Sequence, residues 1–207
     1  MVYLPRVLEL AGDRLAGTSL DDRAACAVML EIAEQIKQKK NRPTVHLVFT
    51  VQEEFNLRGA LPAARTIRPD IAIQLDLILA CDTPDMTERG DVQLGAGPAI
   101  SLYSFHGRGT LNGVIPHPAL VNLCEETASA GCIPLQRSVH IGALTDLSYV
   151  QHIGDGVACI DIGFPMRYSH SSLEVCDLGD LVDLTKLLIA ALPEIDENFS
   201  LDRDDYD

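Results

Sequence analysis

Residues 71–79 read IAIQLDLIL, residues 157–163 read VACIDIG, and residues 44–52 read TVHLVFTVQ. Each run is short, rich in β-forming residues, and carries few polar positions. A strand exposed on one face alternates apolar with polar residues. A strand that is apolar nearly throughout needs cover on both faces. That requirement restricts the fold more than anything else in the chain. It calls for helices above and below a sheet, and helical segments lie between the strands. Residues 23–40 place Ala27, Leu30, Ala33 and Ile36 on one face, with lysines at 37, 39 and 40 suited to the negative helix end and Pro43 beyond it as a stop. Residues 59–67, 118–130 (closed by Gly131), 146–153 and the amphipathic stretch 178–192 are predicted as further helices, and 99–105 as a further strand. Residues 1–18 are expected to form one or two short strands around a Gly-Asp turn. The pattern predicts an α/β chain, a three-layer α/β/α sandwich around a mostly parallel mixed sheet.

Composition narrows the function classes. Sixteen basic against thirty acidic residues give a formal charge of −14, which disfavours nucleic acid and anionic membrane surfaces as partners. Part of the excess lies in the acidic tail, residues 196–207, expected to be a solvated end. The six cysteines form no Cys-x-x-Cys pair, and most sit in apolar stretches, so they are expected to be reduced thiols of a cytoplasmic protein. No apolar run approaches the roughly 18 to 20 residues of a membrane span. Glu9 and Asp13 interrupt the start where a secretion signal would be apolar.

The chemistry is expected where strands end. In open α/β sheets, ligands sit beyond the carboxyl ends of strands. Glu53 and Glu54 close the run 44–52, Asp76 lies near the end of 71–79, Asp21 and Asp22 open a helix, and His170 follows 157–163 by one loop. Two adjacent carboxylates repel each other and are costly to desolvate. A divalent cation would offset that repulsion, and zinc, cobalt and manganese all accept mixed oxygen and nitrogen ligands. One glutamate could then bind metal while its neighbour takes a proton from an activated water. Each residue also has a plainer reading. Asp21 suits a helix N-cap, the glutamates suit a solvated strand end, and His170 suits a polar surface loop. Asp146 suits either a cap or a role in orienting the site. Asp76 is the hardest to read plainly, because an unpaired carboxylate in an apolar run costs several kcal/mol. The Gly-rich stretch HGRGTLNG, residues 106–113, lacks the setting of a phosphate loop and is read as a mobile loop.

Five stretches carry a resemblance: LDDRAACAVMLE, VFTVQEEFNLRGA, QLDLILACDTPD, GALTDLSYV and PMRYSHSSLEV. In order, they resemble the motifs of the glutamyl and tetrahedral aminopeptidases, prokaryotic co-catalytic metallopeptidases once often labelled endoglucanases. The resemblance implies a zinc-peptidase-like catalytic domain over residues 19–195, with residues 1–18 the remnant of an inserted β-rich dimerisation domain. It implies two divalent metal ions. Asp21 would bridge them, Glu54 and His170 would complete the shell of the first, and Asp76 would serve the second. Glu53 would be the general base, and Asp22, Arg23, Asp146 and Arg167 would support the site. Short peptides would be the substrates, and amino-terminal residues would be released. Family members supply one further ligand from a His-x-Asp motif near their amino terminus, and no such motif occurs here. The first metal is therefore expected to be held more firmly than the second. The alternative is a metal-binding remnant with impaired or no turnover. The family's twelve-subunit assembly is not expected to carry over unchanged, because the dimerisation insert is missing; a different homo-oligomer is compatible with the exposed apolar surface its loss would leave.

Overall fold

The structure, a computed structural model, describes residues 4–39, 42–107 and 109–206. Among these, eight strands form one mixed sheet: β1 (Val7–Glu9), β2 (Arg14–Gly17), β3 (Ile71–Leu79), β4 (Ala99–Phe105), β5 (Gly113–Val114), β6 (Gln136–Ile141), β7 (Ala158–Arg167) and β8 (Glu174–Asp177). The helices are α1 (Leu20–Ile36), α2 (Ala60–Ile67), α3 (Pro118–Ala130), α4 (Leu147–Val150) and α5 (Leu178–Ala191). The two longest ladders, β3 with β7 and β4 with β6, are parallel, and the shorter ones are antiparallel. The small strands β1 and β2 join the sheet through β8.

The layers follow from alternation along β7. Ile160, Ile162, Phe164 and Met166 point to one face, where they pack with Val28 and Ile32 of α1, Leu120 of α3 and Leu184 and Leu187 of α5. Cys159 points to the other face and packs with Ala60 and Ala64 of α2 and Leu147 and Val150 of α4. Burial of β7 is nearly complete, as its apolar sequence demands. Gly163 sits at the closest approach of β3 to β7, where a Cβ would run into the carbonyl of Asp76. This glycine lets the strand carrying Asp76 lie flat against the centre of the sheet.

Several expectations need correction. Residues 44–52 form no strand, and most of their side chains are exposed, among them Phe49 and Val51. A β-forming sequence becomes a strand only where a neighbour supplies its ladder, and no described strand lies beside this one. The glutamates therefore follow an irregular segment rather than a strand end. His46, read as a strand residue, is exposed there. Asp21 is no cap: Ser19 holds the N-cap position, and Asp21 and Asp22 have non-helical backbone angles within the first turn. The acidic tail is not wholly solvated. Phe199 packs on the core, and His117 Nε2 meets the Leu201 carbonyl at 3.1 Å. The short strands β5, β6 and β8 lie where the sequence pattern predicts none. Arg108 of the Gly-rich loop lies outside the described residues.

Candidate metal centre

Asp21 and His170 are far apart in sequence and are brought together through Glu174. Glu174 begins β8, which pairs with both β2 and β7. Its carboxylate is buried, and each oxygen accepts one backbone N–H at 3.0 Å: Oε2 from Asp21 and Oε1 from His170. One side chain thus fixes the two backbones that present the candidate ligands. Glu54 arrives from the turn residues that follow the irregular segment.

The result is a triangle. His170 Nε2 stands 3.2 Å from Asp21 Oδ2 and 3.1 Å from Glu54 Oε2. One ligand atom from each of the three residues lies within 4.8 Å of the others. Asp21's side chain is only 7% exposed, whereas those of His170 and Glu54 are open to solvent at 69% and 57%, so the centre has a buried floor and an open mouth. Among the described residues, no other histidine joins this group.

Asp76 lies outside the triangle but close enough to act on it. Its Oδ2 accepts from Gln74 Nε2 at 2.9 Å and its Oδ1 from the Leu77 N–H at 2.7 Å. The carboxyls around it crowd one another. Burial, then repulsion from Asp76 and Glu54, pushes the Asp21 carboxyl well above the usual range. Burial, then Asp76 and Asp21, does the same to Asp22, whose Oδ1 is buried without a partner. Glu53 rises to about 8, through burial first and then through Asp76 and Asp146. These are groups that hold protons because nothing else offsets their charge. A divalent cation would do so, and metal binding would release those protons. The donor set, with an orphaned carboxylate oxygen beside it, fits a hard or borderline divalent ion.

The supporting residues divide. Asp146 is buried at the N-cap position of α4, where it makes no side-chain cap bond; its Oδ2 accepts from Thr50 Oγ1 at 2.8 Å instead, which ties the segment before Glu53 to the start of that helix. Arg167 pairs in fork geometry with Asp82, Nε to Oδ1 and an Nη to Oδ2, both at 2.7 Å. Burial works against the charge of Asp82, yet Arg167 and the Leu94 N–H hold its carboxyl below the ordinary value. Arg23 is exposed and forms no hydrogen bond or ion pair among the described residues.

Two residues escaped sequence reading. Asp161 is buried in β7, beside Gln74 in the register, and burial with Asp76 and Asp146 pushes it up to about 7. A lone carboxylate inside an apolar run singled out Asp76, and the same signal was present in VACIDIG. Glu174 carried a weaker signal: four residues after His170, it looks like one more polar loop residue. Its replacement is a test of the clamp. Glu174→Ala is expected to weaken zinc binding by about 10- to 100-fold, the usual cost of losing a group that orients ligands, as read by competition with a chromogenic chelator.

An α/β/α sheet that gathers two carboxylates and an imidazole at a solvent-open centre has the make-up of a metallohydrolase. The chain belongs to the M42 glutamyl aminopeptidase family, whose profile matches residues 1–187. It is 42% identical over 189 residues to the putative aminopeptidase SgcX of Escherichia coli, covering 91% of this chain and 50% of that protein. It is 31% identical to the lysyl aminopeptidase of Pyrococcus furiosus, covering 93% and 52%. Its structure is similar to an aminopeptidase from the archaeon Desulfurococcus kamchatkensis, with a TM-score of 0.86 and 36% identity over 93% of this chain and 52% of that one. It also resembles the TET1 peptidase of Pyrococcus horikoshii, described as assembling into a tetrahedron or a large octahedral shell, with a TM-score of 0.77 and 28% identity over 91% and 52%. The chain spans about half the length of these relatives. Among the described residues, no helix is long and apolar enough to cross a membrane.

Proposed function

We propose that this chain carries the metal-dependent hydrolytic centre of an aminopeptidase that removes amino-terminal residues from short peptides. The convergence of Asp21, Glu54 and His170 within 4.8 Å is the observation that carries this reading. Those three residues would hold one divalent ion, zinc, cobalt or manganese. Asp76, with Asp21 as a bridge, would contribute to a second. When bound, the metal supplies the positive charge that acidifies water and polarises the scissile carbonyl.

The rest falls to the chain itself. Glu53 is the general base. It takes a proton from the water whose oxygen bonds to the carbonyl carbon, and it returns that proton to the departing amine as the C–N bond breaks. Burial, and after it the charges of Asp76 and Asp146, keep the Glu53 carboxyl basic enough for the first step. The surrounding negative charge favours a substrate's terminal ammonium and repels a terminal carboxylate, which supports attack at the amino end. Glu174 positions two ligands and touches no reacting atom.

The expected result is hydrolysis of leucine-, lysine- or glutamate-p-nitroanilide that appears on adding zinc, cobalt or manganese and disappears with a chelator. A second reading has its own support: Asp76 stands apart from the triangle, and no second group of three ligand atoms occurs among the described residues. On that reading the chain binds one ion and does not turn over. One tightly bound ion per chain with no release of nitroaniline would establish it and overturn the first.

A further inference from the structure

His170 is the candidate ligand with the least support from its own side chain. Its imidazole is 69% exposed, so packing does not hold the ring in place. Its position follows from the backbone of residues 168–173. That backbone is an unfavourable one: Tyr168 and His170 stand at φ 62° and 59°, a region that side chains other than glycine's disfavour. Such a loop keeps its shape only where its ends are fixed. It is the turn of a hairpin, because β7 pairs with β8 on either side of it, Met166 with Cys176 and Arg167 with Val175. On the β8 side, Glu174 accepts the His170 and Asp21 N–H groups, and Thr18 Oγ1 donates to the Ser172 carbonyl at 3.3 Å. These bonds tie the loop toward β2 and α1. On the β7 side, the tie is the fork between Arg167 and Asp82.

Asp82 is well placed to serve as the anchor. It lies just past β3, where the Ala80 N–H still donates to the Met166 carbonyl at 2.9 Å and the Cys81 N–H donates to the Val92 carbonyl at 2.6 Å. Its Oδ2 also accepts the Leu94 N–H at 3.0 Å. The residues after Leu94 are pinned in turn by Asp180 of α5, which is 1% exposed and accepts the N–H groups of Gly95 and Gly97 at 2.8 and 2.7 Å. Hydrogen bonds to charged groups, the stronger kind, thus lead from the buried helix α5 through residues 94–97 and Asp82 to Arg167. The side chains of Arg167 and Asp82 are 21% and 16% exposed, so water and salt screen this pair less than a surface one. The same fork joins the continuations of the two strands that deliver Asp76 and His170.

We infer that Asp82 is a positioning residue of the metal centre: through Arg167 it fixes the hairpin that presents His170, and Asp180 holds it in place from α5. The inference rests on the reading of Asp21, Glu54 and His170 as ligands, and it gives Asp82 no contact with metal or substrate. The fork matters as well as the charge. Two parallel bonds set the orientation of the guanidinium and of the strand end that carries it, which a lysine ammonium, as a point charge, does not do.

Two variants of the whole chain test it. Asp82→Asn turns one of two acceptor oxygens into a donor that faces Arg167 or the Leu94 N–H, and Arg167→Lys keeps the charge without the fork. Each should weaken zinc binding, read by competition with a chromogenic chelator, by about 10-fold or more. In the metal-free chain, the His170 amide should exchange hydrogen at least about tenfold faster in either variant, while the Ile160 and Ile162 amides inside β7 exchange as in the parent. A merely structural pair would speed all three. Asp82→Asn combined with Glu174→Gln should cost less zinc affinity than the product of the two single losses, because both residues act on one hairpin. Unchanged zinc affinity, faster exchange spread evenly through β7, or losses that multiply would each overturn the inference. A parent chain that binds no zinc would instead sink the ligand reading, and the exchange of the His170 amide would still decide whether Asp82 holds the hairpin.

Discussion

Glu53→Gln lowers turnover of an amino-acid p-nitroanilide by about 10²- to 10⁴-fold, the range that a positioned general base contributes, while zinc binding stays within a factor of a few. The split between the two readouts is the point. Glu53 lies beside the triangle rather than in it, so a neutral isostere removes the proton acceptor and leaves the three ligand atoms in place. Glu54→Gln behaves differently, because it takes a carboxylate out of the triangle, and loses metal and turnover together. If Glu53→Gln retains activity within threefold of the parent, the assignment of the base is wrong. If it loses metal as well as activity, Glu53 is a ligand and the two glutamates have exchanged roles. A pH profile gives a second handle. Without a cation, the Glu53 carboxyl stands at about 8. A bound divalent ion draws it down, so the acid limb of the metal-loaded enzyme falls below that value, and the limb disappears in Glu53→Gln.

How much of this centre could be read from sequence depends on where each residue's partners lie. Runs whose packing partners lie within the described chain were legible: β3 and α5 appear where their apolar patterns put them, and β7 runs on to Arg167, past the residues 157–163 expected for it. The run 44–52 has the same kind of sequence and forms no strand, because strand formation is a property of a pair and no described strand lies beside it. The candidate ligands were legible because charged residues in or beside apolar runs need an explanation. Their geometry was not. His170 and Tyr168 adopt positive φ, and the bond that holds the His170 backbone comes from Glu174. Neither can be inferred from a loop that reads RYSHSSLE. Arg167 illustrates a third case: its residue type suits an anion-rich site, and its Nε and one Nη bond the carboxylate of Asp82.

The stability of the metal-free protein should fall as pH rises from about 5 to about 8, and a divalent ion should restore it. Asp21, Asp22 and Glu53 have folded-state pKa values raised above the unfolded range near 4. In that window the folded chain holds more protons than the unfolded one, so stability declines with pH. Asp82 has the opposite shift and contributes stability that is lost only in acid, below its unfolded value, so it does not confuse a scan begun at pH 5. Zinc or manganese at a hundred times its Kd adds about 2.7 kcal/mol. For a chain of this size that is a rise in Tm of about 5 to 10 °C. At one fixed metal concentration the rise should be larger at pH 8 than at pH 5, because competition with protons raises the apparent Kd at pH 5. General self-repulsion of an acidic chain would also lower Tm with pH, and Asp22→Asn separates the two. It removes one titratable carboxyl of many, but one that burial and its neighbours hold far above the ordinary value and whose Oδ1 is buried without a partner. It should therefore raise the metal-free Tm at pH 8 by a few degrees and flatten the decline, with little change at pH 5. If Asp22→Asn shifts Tm no more than neutralising the exposed Glu34 does, the decline belongs to the surface and not to this centre.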